Sequence, residues 1–161
     1  MKKFIKEYGS YILIIIVVIL IRTYLVTPVK VNGTSMEKTL SSNEVLILNK
    51  LDSLQREDIV VVNKGFYKTN LIKRIIALPG EKIKCVDGII YINDEIYSDK
   101  YAYGITSDFD EIILKDDEYF LLGDNRLVSQ DSRNLGPVKE KYIEGTCDIV
   151  LFPFNKIGKI K

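Results

Sequence analysis

Two side chains of this chain have types and settings suited to acid–base chemistry on a hydroxyl. One is Ser35, in Asn32-Gly33-Thr34-Ser35-Met36; the other is Lys73, in Leu71-Ile72-Lys73-Arg74-Ile75-Ile76. The chain contains no histidine, so neither a Ser-His-Asp triad nor a Cys-His dyad can be assembled. A serine hydrolase made from this inventory needs a neutral lysine as its base. Taken singly, each residue has an ordinary reading: a serine after Gly-Thr is common in loops, and a strand lysine commonly lies on the wet face.

Alternation sharpens the case for Lys73. Leu71, Lys73 and Ile75 share one face of a strand, and Ile72, Arg74 and Ile76 share the other. One basic side chain points each way, so one of the two is expected to face the interior or a cleft. Burial disfavours the charged amine and lowers its pKa. A fall from ~10.4 to near 7 corresponds to roughly 4.6 kcal/mol in favour of the neutral form. An apolar pocket without a carboxylate partner would provide it.

A third block, Gly123-Asp124-Asn125-Arg126-Leu127-Val128-Ser129-Gln130-Asp131-Ser132-Arg133-Asn134-Leu135-Gly136, is a polar loop rich in turn formers. Asp131 and Arg133 have the charges to clamp it, and a serine hydroxyl there is able to steer a neighbouring amine.

The elements that must position these residues are mostly strands. Segments 29–31, 45–48, 58–62, 70–76, 82–86, 88–92, 118–122 and 148–152 are short and rich in β-branched residues, and Gly, Asn and Asp separate them. Val86-Asp87-Gly88 and Asn93-Asp94 read as tight hairpin turns. Short helical turns are expected at 36–40 or 139–143, and 97–115 reads as a long surface loop. The pattern predicts a mostly β, antiparallel, barrel-like domain.

The N-terminus is different. Lys2, Lys3 and Lys6 precede the run Tyr11-Ile12-Leu13-Ile14-Ile15-Ile16-Val17-Val18-Ile19-Leu20-Ile21. As a helix, residues 9–26 span ~27 Å, close to the ~30 Å hydrocarbon core of a bilayer, and Arg22 is placed to snorkel at the far end. No small-x-small cleavage site follows, which argues against a removed signal peptide. The expected organisation is a cytoplasmic tail at 1–8, a single retained transmembrane helix at 9–27, and an extracytoplasmic β-rich domain at 28–161. The Phe152-Pro153-Phe154 segment reads equally as a lipid contact or as core.

Composition narrows the classes further. At 161 residues and a net charge of +1, one domain is expected, and no basic stripe points to nucleic acid. The two cysteines, Cys85 and Cys147, are compatible with a disulfide or with buried thiols. No metal-ligand spacing occurs, so no metal is expected.

Together the blocks resemble a type I signal peptidase, of the compact form typical of Gram-positive bacteria. The resemblance covers nearly the whole chain: the anchor, the Ser-Met segment, the Arg56-Glu57-Asp58-Ile59-Val60-Val61 strand, Lys73-Arg74-Ile75-Ile76-Ala77-Leu78-Pro79-Gly80-Glu81, and the Gly123–Gly136 loop. It implies Ser35 as nucleophile, Lys73 as general base, Ser129 as the hydroxyl that orients the lysine amine, and Asp131 with Arg133 as a supporting ion pair. Gly123, Asp124, Asn125 and Arg126 would shape the loop. Val31, Asn32, Gly33 and Thr34, with Leu71 and Ile72, would hold a preprotein as an added β-strand. The implied partners are secretory preproteins, cut after a small-x-small motif at the cell membrane, and membrane lipid; no cofactor is implied. Two positions depart from the family pattern. Lys38 stands where proline is usual, and Gly33 where some members carry a serine that assists the oxyanion hole, leaving the Ser35 N–H as the one donor identifiable.

Other classes fit less well. A self-cleaving SOS-type repressor needs a DNA-binding segment and no anchor, and a sortase-like transpeptidase needs a histidine. A catalytically inactive, membrane-anchored preprotein-binding β module remains as the alternative.

Overall fold

The computed structural model describes the backbone of residues 2–160, and the side chains of these except residues 2–7, 21, 23 and 24. In chain order the elements are α1 (Lys2–Tyr24), β1 (Val26–Lys30), β2 (Val45–Asn49), β3 (Ile59–Val62), β4 (Leu71–Ala77), β5 (Lys82–Val86), β6 (Ile89–Ile92) and β7 (Glu95–Ile96). Then follow β8 (Phe109–Ile113), β9 (Glu118–Leu122), α2 (Ser132–Leu135), β10 (Val138–Lys139), β11 (Ile143–Phe152) and β12 (Gly158–Lys159).

The strands form two antiparallel sheets. The larger is ordered β1-β2-β11-β3-β4-β9-β10, with β12 on β11; the smaller is β7-β6-β5-β8. The large sheet is curled into half a barrel and does not close. β4 and β9 lie inside it and are covered on both faces. Ile76, Ala77, Phe120 and Leu122 pack toward the small sheet with Ile83, Cys85 and Ile90, whereas Ile75 and Leu121 pack with Val60 and Val62 on the opposite side. A third cluster joins Val31, Met36 and Leu40 to Leu46, Leu48 and Val61, so the segment around Ser35 is anchored by its flanks. Both hairpin turns form as expected: Asp87 and Gly88, and Asn93 and Asp94, all have positive φ, the geometry of tight turns that match strand twist.

The structure departs from expectation in two places. The supposed loop at 97–115 contains β8, paired with β5. Asp110 and Glu111 mask its strand character, but Phe109 stacks on Phe120 at 5.0 Å. β1 begins at Val26, inside the stretch assigned to the anchor. The helix α1 runs from Lys2 to Tyr24, with Tyr11 through Leu20 exposed. Among the described residues no helix is long and apolar enough to cross a membrane. Lys2, Lys3 and Lys6, expected to flank an anchor, lie outside the described side chains.

Cys85 and Cys147 are both buried and unbonded, in different core clusters. Phe152 and Phe154 are exposed and meet edge to face, so they are not core.

Candidate active site

The site grows from the register of β4. β3 pairs along its whole length, from Leu71 to Arg74. On the other edge, β9 pairs only from Arg74 onward, with Arg74, Ile75 and Ala77. The edge at Leu71, Ile72 and Lys73 is therefore open. Opposite it runs the edge strand β1, which carries Pro28 where an edge tolerates proline, and its continuation through Gly33. Between them lies a cleft of about 550 Å³, lined among others by Val29, Val31, Asn32, Gly33, Ser35, Met36, Leu71, Ile72 and Lys73. Five of the six residues expected to hold a peptide line it. Thr34 does not: positive φ at Gly33 turns the chain there, Thr34 is exposed, and its carbonyl instead accepts the Glu37 N–H.

At the end of the cleft, Lys73 Nζ donates to Ser35 Oγ at 2.8 Å. Lys73 is 3% exposed, and burial lowers its pKa to about 8; Asp131 and Asp124 oppose the fall and Arg133 adds to it. The sequence called for a pocket free of carboxylates, and the structure solves the problem differently. Each nearby carboxylate is tied to an arginine. Arg133 Nε donates to Asp131 Oδ1 at 2.8 Å and Nη2 to Oδ2 at 2.9 Å. Arg74 Nε donates to Asp124 Oδ1 at 2.9 Å and Nη2 to Oδ2 at 2.7 Å. Such bidentate pairing neutralises the carboxylates, which limits how far they pull the lysine back toward its charged form. Burial by itself raises the Asp131 carboxyl, but Arg133 and the Gly123 N–H together hold it below its ordinary value.

One expectation about β4 was too narrow. Lys73 and Arg74 are both buried, at 3% exposure each, because β4 is covered on both faces. Arg74 also donates to the Glu57 carbonyl at 2.7 Å and lies 3.6 Å from the Tyr101 ring centre. Sequence reasoning missed this second ion pair. Its signal was the Arg next to Lys73 and the Asp in Gly123-Asp124-Asn125.

The loop after β9 closes the site. Asp131 caps the short helix α2 and accepts the Gly123 N–H at 3.0 Å, and the Asn125 N–H donates to the Ser35 carbonyl at 3.0 Å. At Gly123 the need is space: a Cβ would come within 2.2 Å of Ser129 Oγ and 2.6 Å of the Ser35 carbonyl oxygen. Ser129 is thus beside the Ser35 segment, yet its Oγ is buried without a hydrogen-bond partner, and none joins it to Lys73. Among the described residues the Ser35 N–H donates to no acceptor of the protein. No group of three or more metal-ligating side chains occurs among the described residues.

A serine hydroxyl held against a buried lysine amine, beside an open strand edge on a half-barrel, is the arrangement of a hydrolase able to act on extended peptide. The model of the signal peptidase family, peptidase S26, matches residues 2–152. Signal peptidase I T of Bacillus subtilis is 37% identical, aligned over 96% of this chain and 89% of its own length. A signal peptidase I of Bacillus amyloliquefaciens is 38% identical, over 94% and 90%. A crystal structure of a signal peptidase I from Enterococcus faecalis superposes with a TM-score of 0.53 at 32% identity, covering 59% of this chain and 97% of that one. The chain belongs to the signal peptidase family.

Proposed function

We propose that this chain is a serine endopeptidase that removes N-terminal signal peptides from secretory preproteins, with Ser35 as nucleophile and Lys73 as general base. The 2.8 Å approach of a buried amine to the Ser35 hydroxyl carries the reading. Once neutral, the amine accepts the hydroxyl proton across the same contact, and Oγ attacks the carbonyl before the scissile bond. The Ser35 N–H faces the developing oxyanion. The lysine ammonium then protonates the departing amine, leaving an acyl-enzyme. Water, deprotonated by the same amine, releases the signal peptide. No cofactor enters any step. Asp131 and Arg133 support the loop, and Ser129 is assigned to orient the amine during turnover.

The substrate binds as a strand between the β1 continuation and the open edge of β4, using main-chain hydrogen bonds. Apolar walls at Val31, Met36, Leu71 and Ile72 leave room for small side chains, in keeping with a small-x-small requirement. The inactive binding-module reading is not favoured, because a module that merely holds peptide gains nothing from burying a lysine against a serine.

We further assign α1 to the membrane as a single-pass anchor, with its lysine-rich start in the cytoplasm and the β-rich domain outside. The apolar run of α1, exposed from Tyr11 to Leu20 on all sides of the helix, and the exposed Phe152 and Phe154 support this. Anchoring concentrates enzyme and preprotein on one surface.

The test is incubation of detergent-solubilised protein with a preprotein and mass determination of the products. Wild type should yield one cut after a small-x-small motif, and Ser35→Ala and Lys73→Ala none, with folding retained in both. Turnover by either variant removes that residue from the mechanism.

A further inference from the structure

The cleft accounts for the chain before the scissile bond. The chain after it must leave past Ser35, and that side has its own construction. Lys38, three residues beyond the nucleophile, is exposed. Its Nζ is 4.4 Å from the centre of the Tyr103 ring, a cation–π contact that restricts a side chain otherwise free to sweep through solvent. Tyr103 is fixed in turn: its N–H donates to the Asp124 carbonyl at 2.7 Å, and its own carbonyl accepts the Arg126 N–H at 2.9 Å. It bridges Asn125, whose N–H holds the Ser35 carbonyl. The ammonium is therefore tied by a short closed circuit to the nucleophile. Neither Lys38 nor Tyr103 lines the peptide cleft.

Lys38 instead stands on the rim of a second hollow, of about 630 Å³, which also holds Lys156 and Lys159. The acidic side chain there is Glu44, itself paired with Lys156 at 2.7 Å. The lining of this hollow is thus net positive, with Lys38, Lys156 and Lys159 against Glu44, while the chain as a whole carries only +1.

We propose that Lys38, positioned by Tyr103, forms a subsite for the leaving side of the substrate and favours an acidic residue within the first few positions after the cleaved bond. This rests on the peptidase reading above. Lys38 is a specificity residue and not a catalytic one: it acts on a part of the substrate remote from the reacting atoms. A basic residue at the same substrate position meets like charge and is disfavoured.

The test uses two versions of one preprotein, with Glu or Lys at the third position after the cut, and full-length enzyme in a non-ionic detergent without lipid. For an exposed charge pair the expected preference of wild type for the Glu version is about two- to five-fold in kcat/KM at low salt. It should appear mainly in KM and shrink at about 0.5 M salt. Lys38→Arg should keep the preference, Lys38→Met should abolish it, and Lys38→Glu should reverse it. Equal cleavage of the two versions by wild type overturns the subsite whatever the variants do. So does a preference that survives in Lys38→Met. A charge effect seen only after anionic vesicles are added assigns the lysines to the lipid surface and also overturns it. Failure of the enzyme to cut either version, or cutting by Lys73→Ala, is a distinct result: it removes the peptidase reading and the subsite with it.

Discussion

Replacing Lys73 by methionine should make the protein more stable while abolishing its activity. Lys73 is 3% exposed and burial brings its pKa from 10.5 to about 8. A drop of roughly 2.5 corresponds to about 3 kcal/mol of penalty for the charged amine in the folded state. Methionine fills nearly the same volume without a charge. It forfeits the hydrogen bond to Ser35, worth about 1 kcal/mol, so the net gain at pH 7 is about 2 kcal/mol. For a domain of this size that raises Tm by about 4–8 °C. The sign with pH follows from the direction of the shift. Below pH 8 the amine is protonated in both folded and unfolded chains, and the penalty is fully present. Between about 8 and 10.5 the unfolded chain holds the proton more often, so the stability of wild type rises with pH and the advantage of Lys73→Met fades. Activity of wild type should climb through the same region: at pH 7 only about one amine in ten is neutral, so kcat/KM should be about a tenth of its plateau above pH 9. Urea unfolding followed by far-ultraviolet circular dichroism at pH 7 and pH 10, with preprotein cleavage from pH 6 to 9, measures both quantities. A Lys73→Met variant no more stable than wild type at pH 7, or wild-type activity flat between pH 7 and 9, refutes the reasoning that Lys73 is a desolvated base.

Two further substitutions probe the loop around the nucleophile. Gly123→Ala places a methyl group within 2.2 Å of Ser129 Oγ and 2.6 Å of the Ser35 carbonyl; it should cost about 1–3 kcal/mol in thermal unfolding and about 100-fold in single-turnover rate through misplacement of Ser35. Ser129→Ala removes a buried hydroxyl that has no partner, so stability should change by less than about 1 kcal/mol. If Ser129 orients the amine during turnover, kcat falls at least about tenfold with KM little altered, and unchanged kcat removes it from the site.

Much of the site was legible because its chemistry left few choices. With no histidine in the chain, a base for Ser35 had to be another amine, and Lys73 was a lysine set among apolar strand residues with a second basic side chain, Arg74, on the opposite face. The Asp131–Arg133 pair was legible for a local reason: the partners are two positions apart and meet across the first turn of α2. Arg74 and Asp124 are fifty positions apart, and nothing in their spacing forecasts a bond. β8 was hidden because Asp110 and Glu111 break its apolar pattern, and the turn at Gly33, which takes Thr34 out of the cleft lining, is set only in three dimensions.

Alternation, turn residues and the absence of imidazole thus determined, from the chain alone, a strand-built protein whose candidate engine is a Ser/Lys pair. Tertiary structure decided whether that engine has a base. The covering of β4 on both faces strips water from Lys73, the two arginines occupy the nearby carboxylates, and the early end of β9 leaves the strand edge open to a peptide. Each of these depends on which distant segments pack together, and a one-dimensional pattern carries no record of that.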